Sequence, residues 1–190
     1  MTSIQDAVAF ANLVCSICAG ILHRCGPFLK ETIIQDLLIH ELNKLGILTT
    51  RELVFNYRFR DSTGEDITIC NNQFLRTDVE IPAYKCILEL KSTTASTKDD
   101  QIWQLRNYLE NRDDREWGIV INFINKFGPR TFPKVQCDLL YKREETHQET
   151  HQETHQETSD GQAIRKYYTW SVESNPYPNK DDIIETYQQE

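Results

Sequence analysis

The stretch "ILELKSTT", residues 87–94, places Glu89 and Lys91 two positions apart on an otherwise apolar run. Because side chains alternate along a strand, these two residues should share one face, while Leu88 and Leu90 point to the other. Buried charges are costly unless they are paired or bind a metal. The pattern therefore predicts either a structural ion pair or a functional site.

A third polar residue, Asp78, joins this pair through a predicted hairpin. "FLRTDVEI" and "CILELK" read as two strands joined by a turn at "PAYK". Antiparallel pairing of the two strands would bring Asp78, Glu89 and Lys91 together at one edge of a sheet. Glu80 follows Asp78 by two positions, but the adjacent turn favours a surface charge there.

Two carboxylates and a lysine form a set with recognisable chemistry. Carboxylate oxygens hold Mg²⁺ while several waters are retained, and a cation on a scissile phosphate polarises it and lowers the pKa of a bound water. A lysine beside the cation can orient the attacking water and stabilise charge that develops on the phosphate. On spacing alone, a structural ion pair explains Glu89 and Lys91 equally well.

The periodicity of apolar residues predicts the elements that position this set. Helices are expected from about residue 4 to Arg24, where Gly26 and Pro27 follow, and across residues 29–45, with Gly46 as the cap. Further along the chain, we expect a half-exposed strand in "ELVFNYRFRD", a helix in "QIWQLRNYLENR", a buried strand in "WGIVINF" and one more strand in "GPRTFPKVQCDLLY".

The formal net charge of −8 is unevenly distributed along the 190 residues. Residues 1–142 contain 17 Lys and Arg against 18 Asp and Glu, whereas residues 143–190 contain 4 against 11. The body is thus nearly neutral, which neither excludes nor supports a polyanionic partner. Two basic groups could serve such a partner: Arg58, Arg60 and Arg76 on the sheet, and Lys126, Arg130 and Lys134 near the last strand.

The six cysteines are too sparse for a disulfide-stabilised secreted scaffold, and they fit a reducing compartment. Cys15, Cys18, His23 and Cys25 are residue types that bind zinc. Their apolar, helix-like run has no second knuckle, so buried core cysteines are the preferred interpretation.

The apolar run from Ala7 to Leu22 resembles a signal peptide or membrane span only superficially. It has 16 residues, no basic region precedes it, and Asn12 and Ser16 interrupt it. We therefore expect a buried amphipathic helix, no membrane contact, and a soluble intracellular protein of the cytoplasm or nucleus.

The tetrapeptide repeat "THQETHQETHQE" lies within residues 143–160 and is wholly polar, so it cannot bury a core. We predict a low-complexity linker there, between a domain at 1–142 and a C-terminal extension at 161–190. His147, His151 and His155 could hold a metal along one helical stripe, but a polar repeat needs no ligand to explain it. The extension is expected to hold a short strand in "AIRKYYTWSV" and a short helix in "KDDIIETYQQE", which could dock on the body or on a protein partner.

Five segments in order resemble motifs of the GxxExxY proteins, which belong to the PD-(D/E)XK nuclease superfamily. "LHRCGPFLKE" is similar to that family's "VHxxLGPGLLE", "LRTDVEI" to "yraDlvv" and "CILELKS" to "vivElKa". "QLRNYL" is similar to "QllnYL", and "GIVINF" to "gLLiNF". The resemblance extends from about residue 8 to residue 142.

The resemblance implies an α/β fold with a restriction-endonuclease-like αβββαβ core, in which helices flank a mixed central sheet. It also implies a Mg²⁺- or Mn²⁺-dependent nuclease, with DNA favoured over RNA as the partner. Asp78 and Glu89 would bind the metal, the carbonyl of Leu90 and the Glu31 side chain would complete the site, and Lys91 would activate the water. Gln104 would support the site from the following helix.

Two residues of the naming motif differ, because Phe28 replaces its glycine and Ile34 its tyrosine, and only Glu31 is kept. The lost glycine could alter the turn, and the lost tyrosine could remove a hydrogen bond near the site. These departures favour a second hypothesis, a catalytically inactive nuclease-fold adaptor that binds a protein or nucleic-acid partner.

Overall fold

A computed structural model describes residues 3–60, 66–68, 74–126, 131–145 and 164–174, with the backbone alone at 58–60, 66–68, 144–145 and 164–165. The chain forms a six-stranded mixed sheet with helices on both faces, as the sequence predicts. The described elements, in chain order, are α1 (Ile4–Cys25), α2 (Glu31–Lys44), β1 (Thr50–Arg51), β2 (Val54–Asn56), β3 (Arg58–Arg60), β4 (Asp66–Thr68), β5 (Phe74–Arg76), β6 (Val79–Ile81), a 3₁₀ turn (Pro82–Tyr84), β7 (Cys86–Thr93), α3 (Asp99–Glu110), β8 (Trp117–Ile124), β9 (Lys134–Glu145) and β10 (Ile164–Ser174).

Helix α1 begins and ends where local sequence signals place it. Ser3 and Asp6 form a reciprocal capping box at its start. At its end Gly26 has a φ of 73° and donates its N–H to the Leu22 carbonyl, and Pro27 follows. The predicted first helix is confirmed.

Helix α2 ends in a Schellman motif centred on the predicted cap. The amide of Gly46, at φ 75°, donates to the Asn43 carbonyl, and the amide of Ile47 donates to the Leu42 carbonyl. This termination turns the chain towards the edge strand β1.

The strands of the central sheet lie in the order β1-β6-β7-β8-β9-β10. β7 and β8 are parallel, and every other neighbouring pair is antiparallel. Every residue of β8 is buried, as expected for a strand with helices on both faces. The order α2, β1, β6, β7, α3, β8 reproduces the predicted αβββαβ core.

The first predicted strand differs from the observed one. "ELVFNYRFRD" contains β2 and β3, which pair with β5 and β4 in two small ribbons outside the central sheet. The predicted strand "FLRTDVEI" is likewise broken into β5 and β6. The break lies at Thr77 and Asp78, where the Thr77 amide donates to the Leu53 carbonyl and the Asp78 carboxylate turns to the amide of Leu90. Because β1 already occupies the sheet edge, the rest of this region pairs with itself.

Two apolar layers hold the helices to the sheet. Leu88 and Leu90 of β7 pack in the layer with α1 and α2, whereas Ile87 packs in the layer with Leu105 of α3. The approach of α3 is close, since a Cβ atom at Gly118 would lie 2.6 Å from a methyl carbon of Leu105. The predicted alternation along β7 is therefore confirmed.

The C-terminal strand β10 pairs with β9 over eleven residues, from Ile164 opposite Glu145 to Ser174 opposite Val135. The strand predicted in "AIRKYYTWSV" is thus part of the same sheet. The repeat histidines, the predicted helix after residue 179 and most of the predicted linker lie outside the described residues. The division at 142 and 160 stays a prediction.

Helix α1 has 22 residues, longer than the predicted apolar run, and by length and composition alone it could cross a membrane. Nine of its side chains are buried against the sheet and α2. Cys15 and Cys18 are among them, whereas Cys25 is exposed, so the prediction of core cysteines holds for two of the three.

Candidate functional site

The β6–β7 hairpin brings Asp78 and Glu89 together. The ladder between β6 and β7 has Val79 opposite Leu88 as its last pair, and Asp78 lies at the bend directly before Val79 while Glu89 directly follows Leu88. The Asp78 carboxylate accepts a hydrogen bond of 2.7 Å from the backbone amide of Leu90. Its own carbonyl accepts from the Gln35 side chain and from the Glu52 amide, which fixes the bend.

Lys91 and Glu89 form a largely buried ion pair, with 2.6 Å between Nζ and Oε1. The Glu89 side chain is only 2% exposed. Its second oxygen, Oε2, is buried and has no hydrogen-bond partner in the part of the chain that the structure describes. A buried carboxylate oxygen without a donor is costly, which marks this atom as a position for a bound cation.

The electrostatics of the three groups are set first by burial. Burial, then the neighbouring charge of Asp78, raises the pKa of Glu89 to about 7, against the opposing effect of Lys91. Burial also raises the pKa of Asp78, although the Leu90 amide and Lys91 oppose it. Burial alone would lower the pKa of Lys91, but its hydrogen bond to Glu89 and the surrounding carboxylates outweigh burial and raise the pKa of Lys91.

Glu31 lies at the first turn of α2 and reaches the end of β7. Its carboxylate accepts a hydrogen bond of 2.9 Å from the Ser92 amide, and the Ser92 hydroxyl donates to the Leu29 carbonyl. The negative charge of Glu31 contributes to the raised pKa values of Asp78 and Glu89. The structure therefore brings Glu31 to the vicinity of the pair, while its carboxylate is engaged with backbone.

The turn before α2 keeps a glycine-like conformation although Phe28 occupies it. Phe28 has a φ of 66°, a left-handed value that costs a residue with a side chain about 1–2 kcal/mol. Asn125, at the end of β8, fixes this turn, because its side chain accepts from the Phe28 amide and donates to the Ser92 hydroxyl. Phe28 therefore holds a backbone conformation that glycine would adopt without strain.

Replacing Phe28 with glycine is expected to raise the free energy of unfolding by about 0.5–1 kcal/mol, because glycine adopts this φ without strain and only part of that gain is offset by chain entropy. The Phe28 side chain is 65% exposed, so little burial is lost. Urea denaturation would measure the change. Phe28→Ala is the control, since it removes the ring but keeps the strain. A glycine variant no more stable than the alanine variant would contradict this expectation.

Gln104 acts through Tyr108, which matches the "QllnYL" motif but had no predicted role in the site. Its side-chain nitrogen donates to the Tyr108 hydroxyl at 2.7 Å, and that hydroxyl donates to the Arg76 carbonyl at 2.9 Å. Burial, then the charge of Glu89, raises the pKa of Tyr108 to about 12. The spacing of Gln104 and Tyr108, four residues apart on one helix, was the signal available.

Glu80 was predicted as a surface charge, and this prediction is wrong. Its side chain is fully buried, and its carboxylate bonds to Arg112 at 2.7 Å and to Arg115 at 2.7 Å and 3.0 Å. Thr77 donates to it as well, at 3.1 Å. Two arginines from the segment after α3 compensate the buried charge, and they fasten the hairpin that holds Asp78.

The structure describes only some side chains of the two predicted basic groups. Arg76 is 64% exposed, with Glu52 at 3.8 Å, and Lys134 pairs with Glu173 at 2.6 Å. Lys126 is exposed. Arg130 and the side chains of Arg58 and Arg60 lie outside what the structure describes.

The donor set fits one hard divalent cation better than a larger cluster. Within the described ranges, no group of three or more His, Cys, Asp or Glu side chains lies close enough together to hold a metal ion. Asp78 and Glu89, however, are neighbouring carboxylates, and the free Oε2 of Glu89 needs a positive partner. Carboxylate oxygens are the ligands that Mg²⁺ and Mn²⁺ prefer, and Mg²⁺ is commonly held by one or two of them.

The raised pKa of Glu89 predicts how stability depends on pH without metal. Between its ordinary value of 4.5 and about 7, the folded state binds this proton more tightly than the unfolded state. The contribution of this tighter proton binding to the free energy of unfolding is complete below pH 4.5, and it is lost as the pH rises through 7. At about 1.4 kcal/mol per pKa unit, the loss is on the order of 3–4 kcal/mol.

The side chain introduced by Glu89→Gln cannot ionise. We therefore expect the free energy of unfolding of this variant, relative to that of the parent chain, to increase between pH 5 and pH 8 when both are unfolded by urea in the presence of a chelator. Glu116→Gln is the matched control, because Glu116 also pairs with a lysine, Lys85, at 2.7 Å. If the difference between the Glu89 variant and the parent is the same at both pH values, Glu89 does not carry this linkage.

A comparison with protein families gives a match to the PD-(D/E)XK nuclease superfamily over residues 9–132. Comparisons with curated proteins and with solved structures give no match. The matched segment includes most of α1 and every element from α2 through β8, together with Glu31, Asp78, Glu89, Lys91 and Gln104. It spans well over half of the chain, and the fold agrees with it, so the protein belongs to the PD-(D/E)XK nuclease superfamily.

Proposed function

We propose that this protein is a metal-dependent nuclease that hydrolyses phosphodiester bonds of nucleic acid, with DNA as the first substrate to test and RNA as the second. One observation supports the proposal above all others. Glu89 presents, near Asp78, a buried carboxylate oxygen that has no hydrogen-bond partner among the described residues, and its other oxygen pairs with Lys91.

The proposed ligands of Mg²⁺ or Mn²⁺ are Asp78 and Glu89. The carbonyl of Leu90 and the Glu31 carboxylate are proposed as further ligands, the latter directly or through a water. A bound cation would polarise the scissile phosphate and lower the pKa of a coordinated water. The negative charges of Asp78, Glu89 and Glu31 already act on one another, which is the electrostatic condition that favours cation binding.

Lys91 is proposed to hold the attacking water or a phosphate oxygen. Its Nζ keeps a positive charge because the carboxylates raise its pKa, and the side chain is 19% exposed, so it is accessible from the solvent side. An ammonium group in this position stabilises negative charge that develops on the phosphate. Gln104 is proposed as a positioning residue, since it orients the Tyr108 hydroxyl.

The test is cleavage of plasmid DNA, and in parallel of RNA, by the purified chain with Mg²⁺ or Mn²⁺. We expect cleavage that depends on the metal and stops in EDTA. Asp78→Asn should remove it, because an amide keeps the shape but loses the charge that binds the cation. Cleavage that survives both EDTA and Asp78→Asn would reject the proposal.

The second candidate is an inactive adaptor that uses the nuclease fold as a scaffold, with the C-terminal extension as the proposed contact for a protein partner. One observation favours it: Glu31 is bonded to the Ser92 amide, and no three acidic side chains gather around one point in the described residues. Calorimetric titration with Mg²⁺ and Mn²⁺ separates the two functions. An adaptor would give no heat that depends on Asp78 and Glu89.

A further inference from the structure

A groove of about 620 Å³ lies between β5 and α3. Five of the residues that line it matter for its chemistry: Phe74, Arg76, Trp103, Gln104 and Tyr108. Its volume lies within the range of pockets that hold small organic groups. We call it the Trp103 groove.

The Trp103 groove lies near the candidate metal site, because Arg76, which lines the groove, is only two residues before Asp78 in the chain. Tyr108 also lines the groove, where its hydroxyl accepts a hydrogen bond from Gln104 and donates one to the Arg76 carbonyl. A nucleic-acid strand that places a phosphate at Asp78 would therefore have Arg76 within about 7 Å of backbone span.

Two aromatic side chains in the groove are not used by the core. Trp103 is 56% exposed and Phe74 is 59% exposed, whereas Trp117 is completely buried against Phe10. Leu105 and Leu109 form the buried face of α3, and Trp103 projects from a different face. Large exposed aromatic groups beside a candidate site are typical of binding surfaces rather than of packing.

The charge of the groove fits a nucleotide. Arg76 is 64% exposed, and its ion contact with Glu52 is long, at 3.8 Å, so its guanidinium can bind a phosphate. Asp100 also lines the groove and is the acidic group that a phosphate would have to avoid. An aromatic ring with an adjacent arginine is a combination that stacks a base and holds its backbone.

We propose that the Trp103 groove stacks an unpaired nucleobase and that Arg76 holds the adjoining phosphate. A base inside a duplex cannot present its face to Trp103, so the preferred substrate is single-stranded or locally unpaired nucleic acid. This inference rests on the proposed function for the identity of the polymer that reaches the site.

The test measures the affinity of the full chain for a fluorescent oligo(dT) strand and for a duplex of equal length, in EDTA at low salt. Trp103→Ala is expected to weaken single-strand binding about 5- to 150-fold, the range that stacking of one base gives. Duplex binding should change less than about threefold. Trp103→Phe should keep most of the single-strand affinity, and Arg76→Ala should weaken binding while lowering its salt dependence.

Leu13→Ala is the matched control, because Leu13 is an exposed apolar side chain on α1, on the opposite face of the sheet. It should leave both affinities unchanged. Equal single-strand affinities for Trp103→Ala and the parent, or an equal loss for duplex, would overturn the inference.

Binding and cleavage separate this inference from the proposed function. Trp103-dependent binding in a chain that cleaves neither DNA nor RNA would support the groove and reject the nuclease. Metal-dependent cleavage with unaltered binding by Trp103→Ala would support the nuclease and reject the groove.

Discussion

Lys91→Ala is expected to lower the rate of metal-dependent cleavage by about 10²–10³-fold or more, the scale observed when one preorganised charge donor is removed from an active site. Lys91 supplies the ammonium group at the edge where Asp78 and Glu89 meet, 2.6 Å from Glu89. Its truncation leaves both carboxylates without that neighbouring cation. Cleavage of a labelled strand under single-turnover conditions would measure the loss.

Lys85→Ala is the matched control for Lys91→Ala, since Lys85 forms an ion pair of 2.7 Å with Glu116 away from the site. It should cleave at close to the parent rate. Metal titration adds a second readout, because Lys91→Ala should still bind Mn²⁺, whereas Asp78→Asn should not. If Lys91→Ala cleaves as fast as Lys85→Ala, Lys91 has no part in the chemistry.

Local periodicity was enough to predict the elements that carry the site. β7 and β8 are apolar runs of strand length, and the alternation along β7 assigns Leu88 to one layer and Ile87 to the other before any tertiary contact is known. The turn between β6 and β7 then fixes the register, which pairs Val79 with Leu88 and so brings the flanking Asp78 and Glu89 close together. The principal juxtaposition of the candidate site thus follows from short-range rules.

Contacts between distant segments could not be predicted in this way. Asn125 holds the Phe28 turn across 97 residues, and no periodic pattern connects the two positions. The partition of "ELVFNYRFRD" into ribbons was also missed, because alternation predicts a strand but not the strand that pairs with it.

Glu80 shows the same limit for a charged residue. A glutamate next to a turn is typically solvated, and the sequence gives no sign that two arginines, 32 and 35 positions later, would enclose it. Only the path of the chain after α3 brings Arg112 and Arg115 back to β6. The burial of Glu80 is therefore a property of the tertiary fold.

Glu80→Ala is expected to lower the free energy of unfolding by about 3 kcal/mol, because two largely buried guanidinium groups lose their buried carboxylate and keep the more exposed carboxylate of Asp114 as their acidic partner. The exposed fractions of the two arginine side chains are 12% and 9%, so water can compensate them only in part. The Thr77 hydroxyl loses the nearer of its two acceptors, Glu80 at 3.1 Å, and keeps the Leu53 carbonyl at 3.4 Å. Chemical denaturation at pH 7 would measure the difference.

Glu41→Ala is the matched control, because Glu41 also bridges two cations, Arg24 at 3.0 Å and Lys44 at 3.6 Å, but at the surface. Its replacement should cost less than about 1 kcal/mol. Since Glu80 fastens the strand that follows Asp78, its loss should also weaken metal binding at temperatures where the variant is still folded, and Glu41→Ala should not. Equal destabilisation by the two variants would mean that the ion pairs of Glu80 stabilise the protein no more than a surface salt bridge does. The apolar layers alone would then hold the β6–β7 hairpin in place.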